Sequence, residues 1–209
     1  MTNSLFGKIA ALLILPALVG LGRPGLAGAD EWADIRAAAA KTRTVRAEFT
    51  QSKHLRILSR PLVSKGRLVF LAPDRIRWEY LEPIRSVMLA RPDGSDMFLW
   101  TDGGWTADSG QAVEVRRIVL DEIGAWFAGR FEQSGVFSAE LDQGPPLKII
   151  LTPRAGLRDF VTRIELTSAD ALGAIKKVEI FEGPDSRTVI DFTRVELNPE
   201  LVPEIFRQP

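Results

Sequence analysis

The chain has 209 residues, 45% of them apolar and 26% charged, a balance that excludes a disordered protein and fits one globular domain. Lysine plus arginine equals aspartate plus glutamate at 27 each, so the totals give no sign of a nucleic-acid partner. With no cysteine and one histidine, His54, disulfides and His/Cys zinc sites are excluded, and a histidine-dependent triad would rest on His54 alone.

The first residues read as an address. "MTNSLFGK" carries Lys8 and no acid, an apolar run follows from Ile9 to Leu21, and Ala27 and Ala29 offer the small residues of a cleavage site. A signal peptide over 1–29, cleaved near Ala29/Asp30, is therefore expected. The run is too short for a spanning helix, which needs about 20 residues. Loss of Lys8 and Arg23 leaves 25 basic against 27 acidic residues. The expected mature chain, 30–209, is a single periplasmic domain with no stable membrane insertion.

From Asp30 a helix is predicted over about Glu31 to Lys41, with Trp32, Ile35 and Ala39 on one face. Six strand-like runs follow, "VRAEFTQSKHL", "GRLVFLAP", "RIRWEYLEP", "SVMLARPDG", "MFLWTDGG" and "WTADSGQAVEV", with turn signals at Pro73-Asp74, Pro92-Asp93-Gly94 and Asp102-Gly103-Gly104. In "RIRWEY" the charged residues Arg75, Arg77 and Glu79 alternate with Ile76, Trp78 and Tyr80. Water accounts for the charged side; the aromatic side requires a cover.

The pattern then changes period. Ile118, Val119, Ile123, Trp126 and Phe127 recur at helical spacing, and Gly129 is placed to end that helix. Strands resume with "GVFSAELDQG", "PLKIILTP", "FVTRIELTS", "AIKKVEIFEG" and "TVIDFTRVEL". About eleven strands and two helices predict a mainly β fold, a broad antiparallel sheet that curls around an apolar cavity under a partial helical lid.

No nucleophile, P-loop, dinucleotide or zinc-protease motif is present, and Asp93, Asp102, Asp108 and Asp142 lie within two residues of Gly, Pro or Ser, where aspartate serves turns. The expectation is a protein that is not an enzyme and uses no cofactor or metal.

Phe49-Thr50-Gln51, then "GRLVFLAP", "RIRWEYLEP", the Asp93-Gly94 turn and Trp100, together with the closing "FTRVELNPELVPEIF", resemble the outer-membrane lipoprotein carrier family, LolA. The resemblance implies an incomplete, strongly curved antiparallel barrel with a helical lid, whose interior takes lipoprotein acyl chains from an inner-membrane exporter to an outer-membrane acceptor. It also implies a monomer. Combined with the alternation of the strands, it nominates Leu68, Phe70, Ile76, Trp78, Tyr80, Val87, Leu89, Phe98 and Trp100 as cavity wall. Trp32, Ile35, Ile118, Ile123, Trp126 and Phe127 are the corresponding lid residues. One position departs from the family: Ala72 stands where these carriers place a lid-holding arginine. A paralogue with a different lipid, or a lipid sensor or scaffold, is the alternative reading.

Overall fold

A computed structural model describes residues 27–108, 122–154, 156–169 and 174–209. The expected signal peptide falls outside the described residues apart from its last three, and so do Ile118 and Val119. Helix α1 spans Ala27–Ala40, which carries it upstream of the expected start and across the expected cleavage point. Among the described residues eleven strands follow: β1 (Thr44–His54), β2 (Leu62–Leu71), β3 (Arg75–Glu82), β4 (Ser86–Arg91), β5 (Gly94–Thr101), β6 (Gly104–Ala107), β7 (Phe137–Asp142), β8 (Lys148–Pro153), β9 (Arg163–Ser168), β10 (Ile175–Gly183) and β11 (Ser186–Leu197). A second helix, α2, covers 122–127, and 3-10 turns occupy Phe131–Gln133 and Pro203–Phe206.

Every predicted strand run contains a strand, and the three turn signals join β2 to β3, β4 to β5 and β5 to β6. The sheet order is β6-β5-β4-β3-β2-β1-β11-β10-β9-β8-β7, antiparallel throughout and not closed. Each strand pairs with its sequence neighbour except at the middle, where β1 joins β11 over the register Val45 with Leu197 to His54 with Arg187. The two edges, β6 and β7, are consecutive strands of the chain, and α2, which lies between them in sequence, packs on the inner face of the sheet.

Alternation decides the two faces. Val45, Ala47 and Phe49 of β1 lie opposite Phe70, Leu68 and Gly66 of β2, and Leu68 and Phe70 lie opposite Trp78 and Ile76 of β3. This inner face continues through Ile190 and Phe192 of β11, Val178 of β10, Leu166 and Ile164 of β9 and Ile149 and Leu151 of β8, all buried. Gly66 permits the tightest packing in it. A Cβ there would lie 2.2 Å from the Glu79 carbonyl oxygen and 2.4 Å from the Phe49 ring, so the aromatic side chain occupies the space a larger residue would claim.

The outer face departs from expectation. Glu79 is buried rather than solvated: its carboxylate accepts from Arg67 at 3.2 Å and Arg77 at 3.4 Å. The cover is the chain's own end. The 3-10 turn Pro203–Phe206 packs on β3 and β4, Phe206 is fully buried, and Arg77 donates to the carbonyls of Ile205 and Gln208. Arg91 adds a bond to the Phe206 carbonyl while paired with Asp96, whose hydrogen bond raises the guanidinium pKa further. A side-chain clamp fixes the root of this strap. Asn198 accepts from the Arg43 N–H and donates to the Lys41 carbonyl, tying the end of β11 to the start of β1.

Candidate functional site

The site is built on the inner face, where α2 closes over the curled sheet. Phe127 of α2 stacks on Phe70 at 5.5 Å and meets Phe192 edge-on at 6.4 Å. Gly124 comes down over Ile76, and a Cβ at this glycine would lie 3.2 Å from the Ile76 side chain. The helix ends as the sequence predicts. Gly129 adopts a φ of 70°, its N–H bonds the Trp126 carbonyl, and the Arg130 N–H reaches back to the Ala125 carbonyl. This is the Schellman arrangement that favours glycine. Gly129 also rests on α1, 2.6 Å separating a Cβ built there from the Ala39 Cβ, so no side chain fits at that seam.

Further contacts hold the lid in place. Arg36 of α1 pairs with Glu132, and Trp32 sits 6.0 Å from Phe131. Ser134 donates to Glu122 at 3.1 Å while accepting the N–H groups of Val136 and Phe137. The arginine that the resemblance places before the β2–β3 turn is replaced by Ala72, and α1 together with the 130–134 segment supplies the lid contacts instead.

Between lid and sheet lies a cavity of about 720 Å³, in the size range of ligand pockets. Trp78, Tyr80, Met88, Met97, Leu99, Ile123, Ile180 and Ile190 are among the side chains that line it, and Leu62, Val63, Pro83 and Ile84 form its rim. The rim is apolar yet exposed, Ile84 at 66% and Leu62 at 54%. A polar group sits in the same wall: Lys53 pairs with Glu182 at 3.2 Å, Thr188 donates to Glu182, and Tyr80 donates to Gln51 at 2.8 Å.

The nominated wall residues divide. Leu68, Phe70, Ile76, Trp78 and Tyr80 share the inner face; Leu68, Phe70 and Ile76 are packed into its core, and Trp78 and Tyr80 reach the cavity. Trp78 serves both purposes, since its ring lies 4.5 Å from Phe49 and 6.1 Å from Phe192.

Val87, Leu89, Phe98 and Trp100 are corrected. Val87 pairs with Glu79 and Leu89 with Arg77, which puts both on the outer face, the side on which the C-terminal strap packs. Phe98 pairs with Val87 on that same face. Trp100 meets Trp105 edge-on at 5.3 Å, with the Arg85 guanidinium 4.7 Å above its ring. The cavity is lined by their neighbours Met88, Met97 and Leu99. "SVMLA" is apolar or small at every position, so alternation within it does not choose a face; only the pairing Trp78–Met88 across the 83–85 turn does. Of the lid residues, Ile123, Trp126 and Phe127 are buried under α2, Ile35 is buried and Trp32 half-buried on α1, and Ile118 lies outside the described residues.

Among the described residues no cluster of metal-ligating side chains is found, and no helix is long and apolar enough to cross a membrane. The arrangement offers a largely apolar cavity whose wall also carries the polar side chains of Gln51, Lys53, Ser86, Glu182 and Thr188. That is the chemistry of sequestering a greasy ligand.

The family model "Outer membrane lipoprotein carrier protein LolA" matches residues 40–113. An outer-membrane lipoprotein carrier protein of Dechloromonas aromatica (strain RCB) is 26% identical over 174 residues, 79% of this chain and 77% of its own length. Among solved structures, a DUF1329 family protein from Desulfovibrio piger ATCC 29098 aligns with 86% of this chain and 97% of its own, at 12% identity and a TM-score of 0.47. The LolA superfamily protein NE2245 from Nitrosomonas europaea covers 83% and 96%, at 10% identity and a TM-score of 0.41. With the sequence pattern of residues 40–113 matched and an open sheet curled over a cavity, the chain resembles the LolA family.

Proposed function

We propose that this protein is a periplasmic carrier that takes up the acyl chains of lipoproteins at an inner-membrane exporter and delivers them to an outer-membrane acceptor. The observation that carries the reading is the cavity of about 720 Å³ between α2 and the inner face, largely apolar in its lining and opening past the exposed rim residues Leu62, Val63 and Ile84. Each buried methylene contributes about 0.8 kcal/mol, so a chain of roughly 14 to 16 carbons is held by about 11 to 13 kcal/mol before costs. Release requires part of this to be offset. An empty cavity lets α2 settle against Phe70 and Phe192, contacts that compete with cargo for the same inner face.

The test is native mass spectrometry with lipid extraction on the protein purified from its own periplasm. A bound acylated lipoprotein supports the reading. A free lipid instead supports the second reading, a paralogue with another cargo, which the alanine at position 72 favours. A protein that comes out empty and ignores soluble acyl probes overturns both.

A further inference from the structure

We propose that the innermost part of the cavity recognises an ester or amide carbonyl of the cargo through the indole N–H groups of Trp78 and Trp126. The proposal rests on the acyl-carrier reading and names the chemical class within it: acyl lipids, as opposed to ether lipids or plain hydrocarbons.

Beneath α2, nine side chains enclose a space of about 10 Å³ that shares Trp78, Ile123, Ile180 and Ile190 with the main cavity. All nine are Ile, Val, Phe or Trp, so the only side-chain nitrogen or oxygen atoms among them are Nε1 of Trp78 and Nε1 of Trp126. Both rings are more than nine-tenths buried, at 2% and 3% exposure, and neither N–H has an acceptor. Buried donors in folded proteins are ordinarily satisfied, and an indole can only donate. Here the two orphans come from opposite walls, one from the sheet and one from the lid.

The lining narrows the choice of missing partner. A hydrocarbon tail offers no acceptor. A water molecule needs two to four polar partners and a space of at least about 10 to 15 Å³. With two donors and no acceptor around it, its own protons would be left unmatched. A carbonyl oxygen has two lone pairs and no proton, so it accepts from one indole or both and leaves nothing unpaired. Because Trp126 rides on α2 and Trp78 on β3, a carbonyl placed there adds a link between lid and sheet that the empty protein lacks.

The experiment compares 1-dodecanoylglycerol with 1-O-dodecylglycerol, which share tail and headgroup and differ in the carbonyl. Binding is measured by calorimetry on the wild-type protein, Trp78→Phe, Trp126→Phe and the double variant. The expected result is an ester preference of roughly tenfold in the wild type, equivalent to about 1.4 kcal/mol. The preference, read as the ratio of the two affinities within each protein, shrinks in each single variant and disappears in the double one, whatever the change in overall affinity. Equal affinities in the wild type, or a preference that survives in the double variant, overturn the inference and leave the carrier reading intact. Failure of both probes to bind the wild type overturns the carrier reading itself. Trp126→Phe, on the lid, keeps the test decisive if Trp78→Phe does not fold.

Discussion

Phe206→Ala separates the two faces of the sheet. Phe206 is fully buried where the C-terminal strap packs on the outer side of β3 and β4, the side opposite the cavity. Truncating a buried phenylalanine costs about 3 to 5 kcal/mol, part of it from the cavity left behind. For a domain of this size each kcal/mol lowers the melting temperature by about 2 to 4 °C, so a fall of roughly 6 to 20 °C is expected. The backbone bonds from Arg77 and Arg91 to the strap weaken with it, which adds to the loss. Circular dichroism melts measure the fall, and Val202→Ala, at a side chain that is 62% exposed, is the control and should shift little. Acyl-probe affinity measured well below the transition should hold within about threefold, because the perturbed side chain lies across the sheet from Trp78. A melting change under 2 °C would show that the strap is not docked. A tenfold affinity loss at low temperature would refute the independence of the two faces.

Leu99→Trp, which places bulk in the cavity, should weaken acyl-probe binding at least tenfold, whereas Phe98→Ala next to it should leave affinity unchanged; equal effects in a fluorescence titration would contradict the pairing of β4 with β5. Gly129→Ala combines a left-handed backbone with a Cβ driven against Ala39 and should cost about 1 to 3 kcal/mol, read as faster hydrogen exchange across 122–134. Ile84→Asp, at an exposed rim position, should leave the melting temperature within about 2 °C yet slow acyl-probe uptake from lipid vesicles, followed by stopped-flow fluorescence; an unchanged rate would remove the rim from the loading route.

The strands were legible because turn chemistry and alternation coincide along most of the chain. Pro92-Asp93-Gly94 and Asp102-Gly103-Gly104 punctuate β4, β5 and β6, and "RIRWEY" declares its two faces unaided. The side of the sheet occupied by β4 and β5 was not legible. "SVMLA" has no polar residue to mark an outside beyond Ser86, and Ser86 itself faces the cavity. The outer face of β3 and β4 was misread for a related reason: alternation records charge, and charge is ordinarily assigned to water. Glu79 is instead buried between Arg67 and Arg77 under a tail that arrives from more than a hundred residues away. The orphaned indoles left no trace in the sequence, since a tryptophan with a partner and one without are written alike.

The seam between β1 and β11 has a consequence for how the molecule is made. The arms β1 to β6 and β7 to β11 are each a run of neighbouring hairpins that form from local contacts, but Val45 meets Leu197 only after the whole domain is synthesised. Closure over so long a loop costs little more than over a shorter one, about 0.6 kcal/mol per doubling, yet such distant pairing slows folding. Until the seam closes, two long strands, each apolar on one face, remain as open edges, whereas in the finished sheet the short β6 and β7 stand at the margins among the described residues. The Asn198 clamp, which bonds both Lys41 and Arg43, locks that junction from the side. The period of greatest aggregation risk is therefore the interval before β1 and β11 meet, and a newly made chain depends on that one step being completed.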